Sequence, residues 1–514
     1  MSGEKEIYAL VHDVAGDICV TTVDSTGTIT NVKDTTKGRS CKTFVAEMPK
    51  IFTKKIKVVI FNIFLVQPTN FTNNYEFQKA IKAMIVRLKI PYVFISLHQY
   101  VCARFLTGAN VAFEMNDTVL IVLVKEHGIY ATELKKTLNG YKSNSDDRSL
   151  NYDSKESDQS IRKKIVGSST PKKILISSDT TGNPILKKMI DILNFKDLIF
   201  LECDKIKRNG QVISEMAKHV LDKSYTKFWV LPKTNFNFGI RCLTGNKTFD
   251  LIYFGNENLP AKKEIYISRQ SFNLTLFLSN GKTTRDEILE TFTPPMNCHK
   301  VKLILSVDSN NFPSYKAEPI MIPKVMALPD LLTRFVSSKV PVIGFFENSS
   351  VICHHKDGNY QFLVGWNGAY GRDLLISFAT EKPKFMEDAV EALRTKPSYV
   401  VLDLIRIMSM PSNDIKHDGP SNFKFTKDTD NPVLLEFDNA DGSLGAASPA
   451  FLMAMLMKEH LIAIKDESGE KPTNIAFCLL DYPYNAEERN RIVDQINEAG
   501  KLLKIKMNFL PFIV

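Results

Sequence analysis

The chain has no run of 18 or more uncharged apolar residues, so no helix able to cross a bilayer is expected. Its first residues, MSGEKEIYAL, lack the basic and apolar regions of a secretory leader. Cysteine is never paired at C-x-x-C spacing. The eight thiols fall at 19, 41, 102, 203, 242, 298, 353 and 478, a pattern of neither a zinc site nor a redox motif. Dispersed thiols without a leader suit a reducing cytosol. Excess charge is also small: +9 over 514 residues. The basic cluster IRKKIVGSSTPKK (161–173) sits in a polar stretch without interleaved aromatic residues. Nucleic acid and membrane are therefore not expected as partners, and a cytoplasmic location is.

What is present is a folded composition, with 44 % hydrophobic and 24 % charged residues. The length suits roughly two to four domains. Residues 7–32, IYALVHDVAGDICVTTVDSTGTITNV, read as strands joined at Ala15-Gly16 and at Ser25-Thr26-Gly27. VVIFNIFLV (58–66) reads as a buried strand. Asn and Thr caps in QPTNFTNN then precede a helix over about 74–88, with Phe77, Ile81, Met84, Ile85 and Leu88 on one face. YVFIS (92–96) is a further strand. VLIVLVKEHGIYATEL (119–134) reads as a strand, a tight turn at Lys125-Glu126-His127-Gly128 and a second strand. KILISS (173–178) leads through DTTGN to a helix near 184–193. This alternation is α/β grammar. Residues 139–172 are polar and read as a disordered insertion.

From about 228 to 322, short alternating runs such as FGIRCL, TFDLIYF, EIYIS and KVKLILSVD indicate an all-β module. The α/β character returns at Val340. Ser448 and Pro449 start a helix with Phe451, Leu452, Met455, Leu456, Leu461 and Ile462 as its apolar face, and Gly469 and Pro472 stop it. Segments 64–90 and 477–505 repeat one plan: an apolar strand, a Tyr/Phe-Asn turn, a helix and a basic-apolar re-entry. His354-His355 lack a partner at helical spacing and read as a solvated strand. Asp481, Glu487 and Glu488 read as turn and helix-start residues that complement the helix dipole.

Taken in order, these pieces resemble the 70-kilodalton heat-shock chaperone family and its 110-kilodalton relatives. WNGAYGRDLLISF (366–378), DAVEALRTKPSYVVLDLIRIM (388–408), SPAFLMAMLMKEHLIAIKDESG (448–469) and TNIAFCLLDYPYNAEER (473–489) follow the order of motifs at the front of that family's ATPase domain. FNFGIRCL, FGNENLPAKKEIYIS, LTLFLSNG and FTPPMNCHKVKLILSVDSNN follow its peptide-binding sandwich. The resemblance implies a shortened α/β actin-like (ribonuclease H-like) ATPase-type domain over 1–225 and a peptide-binding-like β-sandwich over 226–325. A linker over 326–339 and a second, partial actin-like segment over 340–514 would follow. The family's helical lid has no counterpart.

The same resemblance implies that the nucleotide chemistry has eroded. In that family, hairpin turns with glycine bring backbone N–H groups to phosphate, carboxylates hold Mg²⁺, and a lysine stabilises the transferring phosphoryl group. Asp13, Ala15 and Gly16 retain the first turn and are the candidate ATP-binding residues. In the second turn, Leu123 and Tyr130 replace two aspartates, and Lys125, Glu126 and His127 replace three glycines. The repeated first turn has Phe346 for its aspartate and Asn348-Ser349-Ser350 for G-T-T. Glu391 replaces the lysine, no acid occurs at Ser96 to His98, and Ser177 and Ser178 replace two glycines. Catalysis and a metal site are therefore not expected, and ATP with Mg²⁺ is implied by family alone. Ile240, Cys242, Leu243, Tyr266, Leu274 and Leu276 fall where the family lines its peptide pocket, although alternating apolar residues also build sandwich cores. The implied function is binding of unfolded polypeptide or of another chaperone, with hydrolysis lost. An active ATP-dependent chaperone, and a scaffold that binds neither ligand, are the alternatives.

Overall fold

The computed structural model describes residues 6–511 except 15, 35–39, 127, 144–146, 169, 204–208, 245–246, 270–272, 280–285, 416–422, 430 and 481–483. The chain is mixed α/β and forms two compact units. One comprises Met1–Phe236, Gly255–Ala261 and Val307–Pro313; the other comprises Asn237–Phe254, Lys262–Ser306 and Ser314–Val514.

The first unit holds two sheets. β1 (Ile7–Val14), β2 (Asp17–Asp24), β3 (Ile29–Asp34), β4 (Ile56–Asn62) and β5 (Tyr92–Phe94) run in the order β3-β2-β1-β4-β5. The first three are antiparallel, and β4 and β5 are parallel to β1. β6 (Thr118–Val124), β7 (Gly128–Thr137), β8 (Gly140–Ser143), β9 (Arg148–Asn151), β10 (Lys173–Ser178) and β11 (Leu198–Phe200) follow the same scheme, β8-β7-β6-β10-β11, with β9 added beside β7. The helices are α1 (Cys41–Ile51), α2 (Asn74–Leu88), α3 (Leu97–Ala109), α4 (Asp158–Val166), α5 (Pro184–Leu193) and α6 (Asn209–Leu221). One core joins Leu10 and Ile60 of the first sheet to Val119 and Ile121 of the second, with Phe105 of α3 and Ile213 of α6 among them. The opposite face of the second sheet, Leu120, Val122 and Val124, packs on α4 and α5. Burial on both faces explains the unbroken apolar run of β6.

In the second unit, β12 (Asn237–Thr244), β13 (Lys247–Phe254), β15 (Leu274–Ser279) and β16 (Glu287–Phe292) form one sandwich sheet, ordered β13-β12-β15-β16. β14 (Ala261–Ser268), β17 (Lys300–Val307) and β18 (Pro313–Ile320) form the other. α7 (Pro323–Met326) and α8 (Leu328–Phe335) follow. β19 (Val342–Phe346), β20 (Ser349–Lys356), β21 (Asn359–Phe362), β22 (Arg372–Asp373), β29 (Asn474–Leu479) and β30 (Lys506–Phe509) repeat the scheme of the first unit as β21-β20-β19-β29-β30. Two small sheets hold β23 (Ile376–Ser377), β24 (Lys384–Phe385) and β25 (Val400–Val401), and β26 (Lys424–Thr426), β27 (Leu434–Asp438) and β28 (Leu444–Ala447). The remaining helices are α9 (Val390–Thr395), α10 (Leu404–Ser409), α11 (Pro449–Ser468) and α12 (Ala486–Leu502).

One sheet order thus occurs three times. Each copy continues through a strand, an asparagine-capped helix and a parallel strand, with Asn73, Asn183 and Asn485 as the caps. The segments 64–90 and 477–505 hold corresponding capped helices, α2 and α12, but the strand expected at the start of the first is not there: β4 ends at Asn62, and residues 64–65 form a turn, whereas β29 enters 477–505. Asn485 and Glu488 form a reciprocal capping box, as expected of a helix-start residue. Asp481 lies outside the described residues.

Several expectations are corrected. The segment 139–172 contributes β8, β9 and α4 instead of remaining unstructured. Its few apolar residues are spaced to count: Ile161 and Ile165, four apart, are both buried. The supposed linker, 326–339, contains α8, whose Leu328 and Leu332 are fully buried against the sheet of β19. His354 is not solvated; it is buried and its Nε2 lies 3.5 Å from Glu467 Oε1. The helix α3 was not anticipated because it is buried on several sides, from Gln99 to Thr107, and so shows little periodicity. Truncating Ile165 to alanine is expected to cost about 2–5 kcal/mol in chemical denaturation and to open 152–168 to limited proteolysis. Unchanged stability and cleavage would return this segment to its expected loose state.

Candidate functional site

Each copy of the repeated sheet begins with a hairpin, whose turn is where the resemblance would place phosphate. In the first, the Gly16 N–H donates to Asp13 Oδ1 at 2.8 Å. The turn's own carboxylate therefore occupies one donor a phosphate would need. Gly16 adopts φ 91°, which explains the glycine without a ligand. Asp13 and Gly16 are exposed, and Ala15 lies outside the described residues. His12 turns toward Thr21, its Nε2 3.1 Å from Oγ1, and burial lowers its pKa against the pull of Asp13.

In the second hairpin, Lys125 N–H donates to Gly128 O at 2.7 Å and closes the turn. His127 lies outside the described residues. Gly128 pairs with Asn151 of β9, and a Cβ there would stand 2.9 Å from Leu150 O. The surviving glycine admits a neighbouring strand. A cavity of about 350 Å³ beside the turn is lined by Lys125, Glu126, Asn151 and Asp179, among others, so an anion would meet two carboxylates and one lysine. Ser177 and Ser178 also turn inward: Ser177 Oγ donates to Leu201 O at 2.7 Å, and Ser178 Oγ accepts from Thr180 N–H at 3.2 Å.

His98 and Tyr130, two positions where the resemblance implies a missing acid, meet in space. His98 Nδ1 lies 2.6 Å from the Tyr130 hydroxyl and 3.2 Å from Asp147 Oδ2, and its Nε2 is 3.8 Å from Cys102 Sγ. Burial disfavours the charged ring, but Cys102 and Asp147 together outweigh it and raise His98 from 6.5 to about 10. Burial pushes Asp147 up, while the bond to His98 and its charge hold the carboxyl below its usual 3.8. Burial, with Cys102 and Asp147, raises the Tyr130 phenol. An imidazolium at this place would repel Mg²⁺. Among the described residues no group of three or more His, Cys, Asp or Glu side chains is placed to hold a metal.

The third hairpin, β19–β20, is satisfied from within. Asn348 O accepts from Leu374 N–H at 2.7 Å, and its Oδ1 accepts from Asp403 N–H at 2.8 Å. Ser349 Oγ donates to Asp373 Oδ1 at 2.7 Å. His460 is fully buried, and burial lowers its pKa to about 4. Its Nδ1 donates to Leu456 O at 2.8 Å, so the neutral ring accepts from Ser350 Oγ through Nε2, also at 2.8 Å. Trp366 stacks on this ring at 4.3 Å, and its Nε1 donates to Ser350 O at 3.0 Å. Burial, helped by Glu347 and opposed by Arg406, pushes the Asp403 carboxyl up to about 6. Glu391 is exposed on α9.

Sequence reasoning gave no sign of Arg269, a sandwich residue only 4 % exposed. Its Nε and Nη2 donate to Asp373 Oδ1 at 3.0 and 2.8 Å, and its Nη1 donates to Cys298 O and Tyr370 O at 3.1 and 2.7 Å. Longer bonds of 3.3 Å reach Ser349 Oγ and Gly371 O. A single arginine after a strand carries no sequence pattern that predicts this role.

Of the residues implied for the peptide pocket, four pack together within one sandwich sheet. Ile240 and Cys242 on β12 face Leu276 and Leu274 on β15 in register, and all four are buried. Tyr266 belongs to the other sandwich sheet and is 60 % exposed, so it does not join them. The Leu243 side chain lies outside the described residues. Among the described residues no helix is long and apolar enough to cross a membrane. All eight cysteines are free, and seven are buried.

No model of a known protein family matches the chain, and no curated protein matches it.

Two outcomes test this geometry. The contribution of His98 is complete below pH 6.5 and is lost as pH rises toward 10. Thermal unfolding between pH 7 and 10 should therefore fall more steeply for the unaltered protein than for His98→Gln; parallel curves would refute the cluster. Arg269→Met strands a buried carboxylate and should cost about 3–5 kcal/mol, whereas Arg269→Met with Asp373→Leu should recover most of it.

Proposed function

We propose that the chain is a divergent, non-hydrolysing relative of the 70-kilodalton heat-shock chaperones. In this reading the first unit is a shortened actin-like (ribonuclease H-like) domain, and the second carries a β-sandwich followed by a partial actin-like segment. The threefold recurrence of one sheet order supports it. Its carrying observation is that the hairpin turns remain while their polar groups bond internally: Gly16 N–H to Asp13, Ser349 to Asp373, and Ser350 to His460. Preorganised donors stabilise a transferring phosphoryl group only if they are free to face it. The protein would act by holding unfolded polypeptide or another chaperone, in the cytoplasm, without ATP or Mg²⁺.

The buried residues of the supposed peptide pocket favour one second reading: a scaffold that takes neither nucleotide nor peptide in its sandwich. Phosphate release from Mg-ATP should stay at the blank rate, and titration calorimetry should give no binding heat. Turnover abolished by Asp13→Ala would sink the non-hydrolysing reading. Suppression of aggregation of a chemically unfolded enzyme at near-equimolar ratio separates chaperone from scaffold, which should show none.

A further inference from the structure

The helix α11 has two distinct faces. Leu452, Leu456, Leu461 and Ile464 are buried in the unit, whereas Ile462 remains 44 % exposed. Phe451, expected on the apolar face, is also 52 % exposed. Glu459, Ile462, Ala463 and Asp466 lie at spacings of three and four and so share one side of the helix. That side forms one wall of a cavity of about 920 Å³, whose other wall runs from Pro383 to Asp388. Trp366 and Arg372 also line it. Its volume is that of a ligand site.

The lining is chemically one-sided. Five carboxylates and two cations face the cavity, in a chain whose net charge is +9. Two of the carboxylates are already used. Glu467 accepts from the Gly365 N–H at 2.8 Å and lies 3.5 Å from His354, and Glu387 lies 3.7 Å from Arg372. Asp388 on one wall, and Glu459 and Asp466 on the other, make no hydrogen bond or ion pair among the described residues. Burial raises the Glu459 carboxyl, against the pull of Lys458. Three unpaired carboxylates around an apolar strip of Phe385 and Ile462 create a negative field that an occupant of positive charge would relieve. A bare metal ion is a poor occupant, because among the described residues no three potential ligands converge.

We propose that this cavity binds a basic, amphipathic stretch of polypeptide, with lysine or arginine side chains against Asp388, Glu459 and Asp466 and apolar side chains against Ile462 and Phe385. The site uses none of the residues implied for ATP or for the sandwich pocket, and stands whether or not the chain is a chaperone relative.

The test is fluorescence anisotropy on the full chain, with a fluorescein-labelled heptapeptide of alternating lysine and leucine. Saturable binding is expected, weakened about tenfold by Glu459→Gln with Asp466→Asn and weakened also by added salt. The exposed Lys384→Glu should tighten it, a gain that misfolding cannot mimic. Unchanged affinity in the double variant would overturn the proposal. So would equal binding of a glutamate-leucine heptapeptide, or binding of spermine at the peptide's affinity, which would indicate a site for small polycations instead.

Discussion

Arg269 carries a charge out of water, and the second unit is arranged around satisfying it. A guanidinium has five donors and no acceptor, so burial requires carboxylate or carbonyl oxygens in its plane. Asp373 supplies the charge, and Cys298, Tyr370 and Gly371 supply carbonyls. These partners come from the sandwich and from the sheet that follows it. The bond geometry therefore fixes one against the other within the unit. Glu347, at the turn of β19–β20, adds ties to Ser268 and Lys300 at 2.9 and 2.7 Å. The desolvation cost of a buried ion pair offsets much of its attraction, so its net stabilisation is small even though breaking it is costly.

The same accounting explains the hairpin turns. A phosphate-binding turn keeps backbone donors unpaired for its ligand. Here those groups, or the side chains beside them, have found partners in the protein. Asp13 takes the Gly16 N–H, Leu150 fills the space that Gly128 leaves, and His460 and Trp366 take Ser350. His98 bonds to Tyr130 and to Asp147; burial disfavours its charged form, and Cys102 and Asp147 favour it. The proposed loss of hydrolysis follows from satisfied valence as much as from missing residues. A scaffold that folds without nucleotide has its turns closed by its own side chains.

Local chemistry made much of the fold legible. Asparagine caps, the apolar face of α2 and the Ser448-Pro449 start of α11 stand where their residue types place them. Tertiary context decided the rest. α3 was invisible because burial on several sides removes the periodicity that marks a surface helix. The segment 139–172 looked disordered because two isoleucines in a polar background were too few to register, yet a sheet face with room for them was enough. The six pocket residues illustrate an ambiguity of period: alternation identifies one sheet face and does not say whether that face is open.

By itself the sequence determined the repeated strand, capped turn and helix, since these rest on neighbours within a few positions. By resemblance alone it also suggested that these turns had lost phosphate-binding glycines and acids. The closure of those turns, the burial of Arg269 and the unpaired carboxylates beside α11 belong to the tertiary structure alone. Arg269 lies 104 residues from Asp373, and His460 lies 110 from Ser350. No local propensity acts over such separations. Only the packing of whole elements brings such groups to bonding distance, and the cost of leaving a buried polar group unpaired then holds them there.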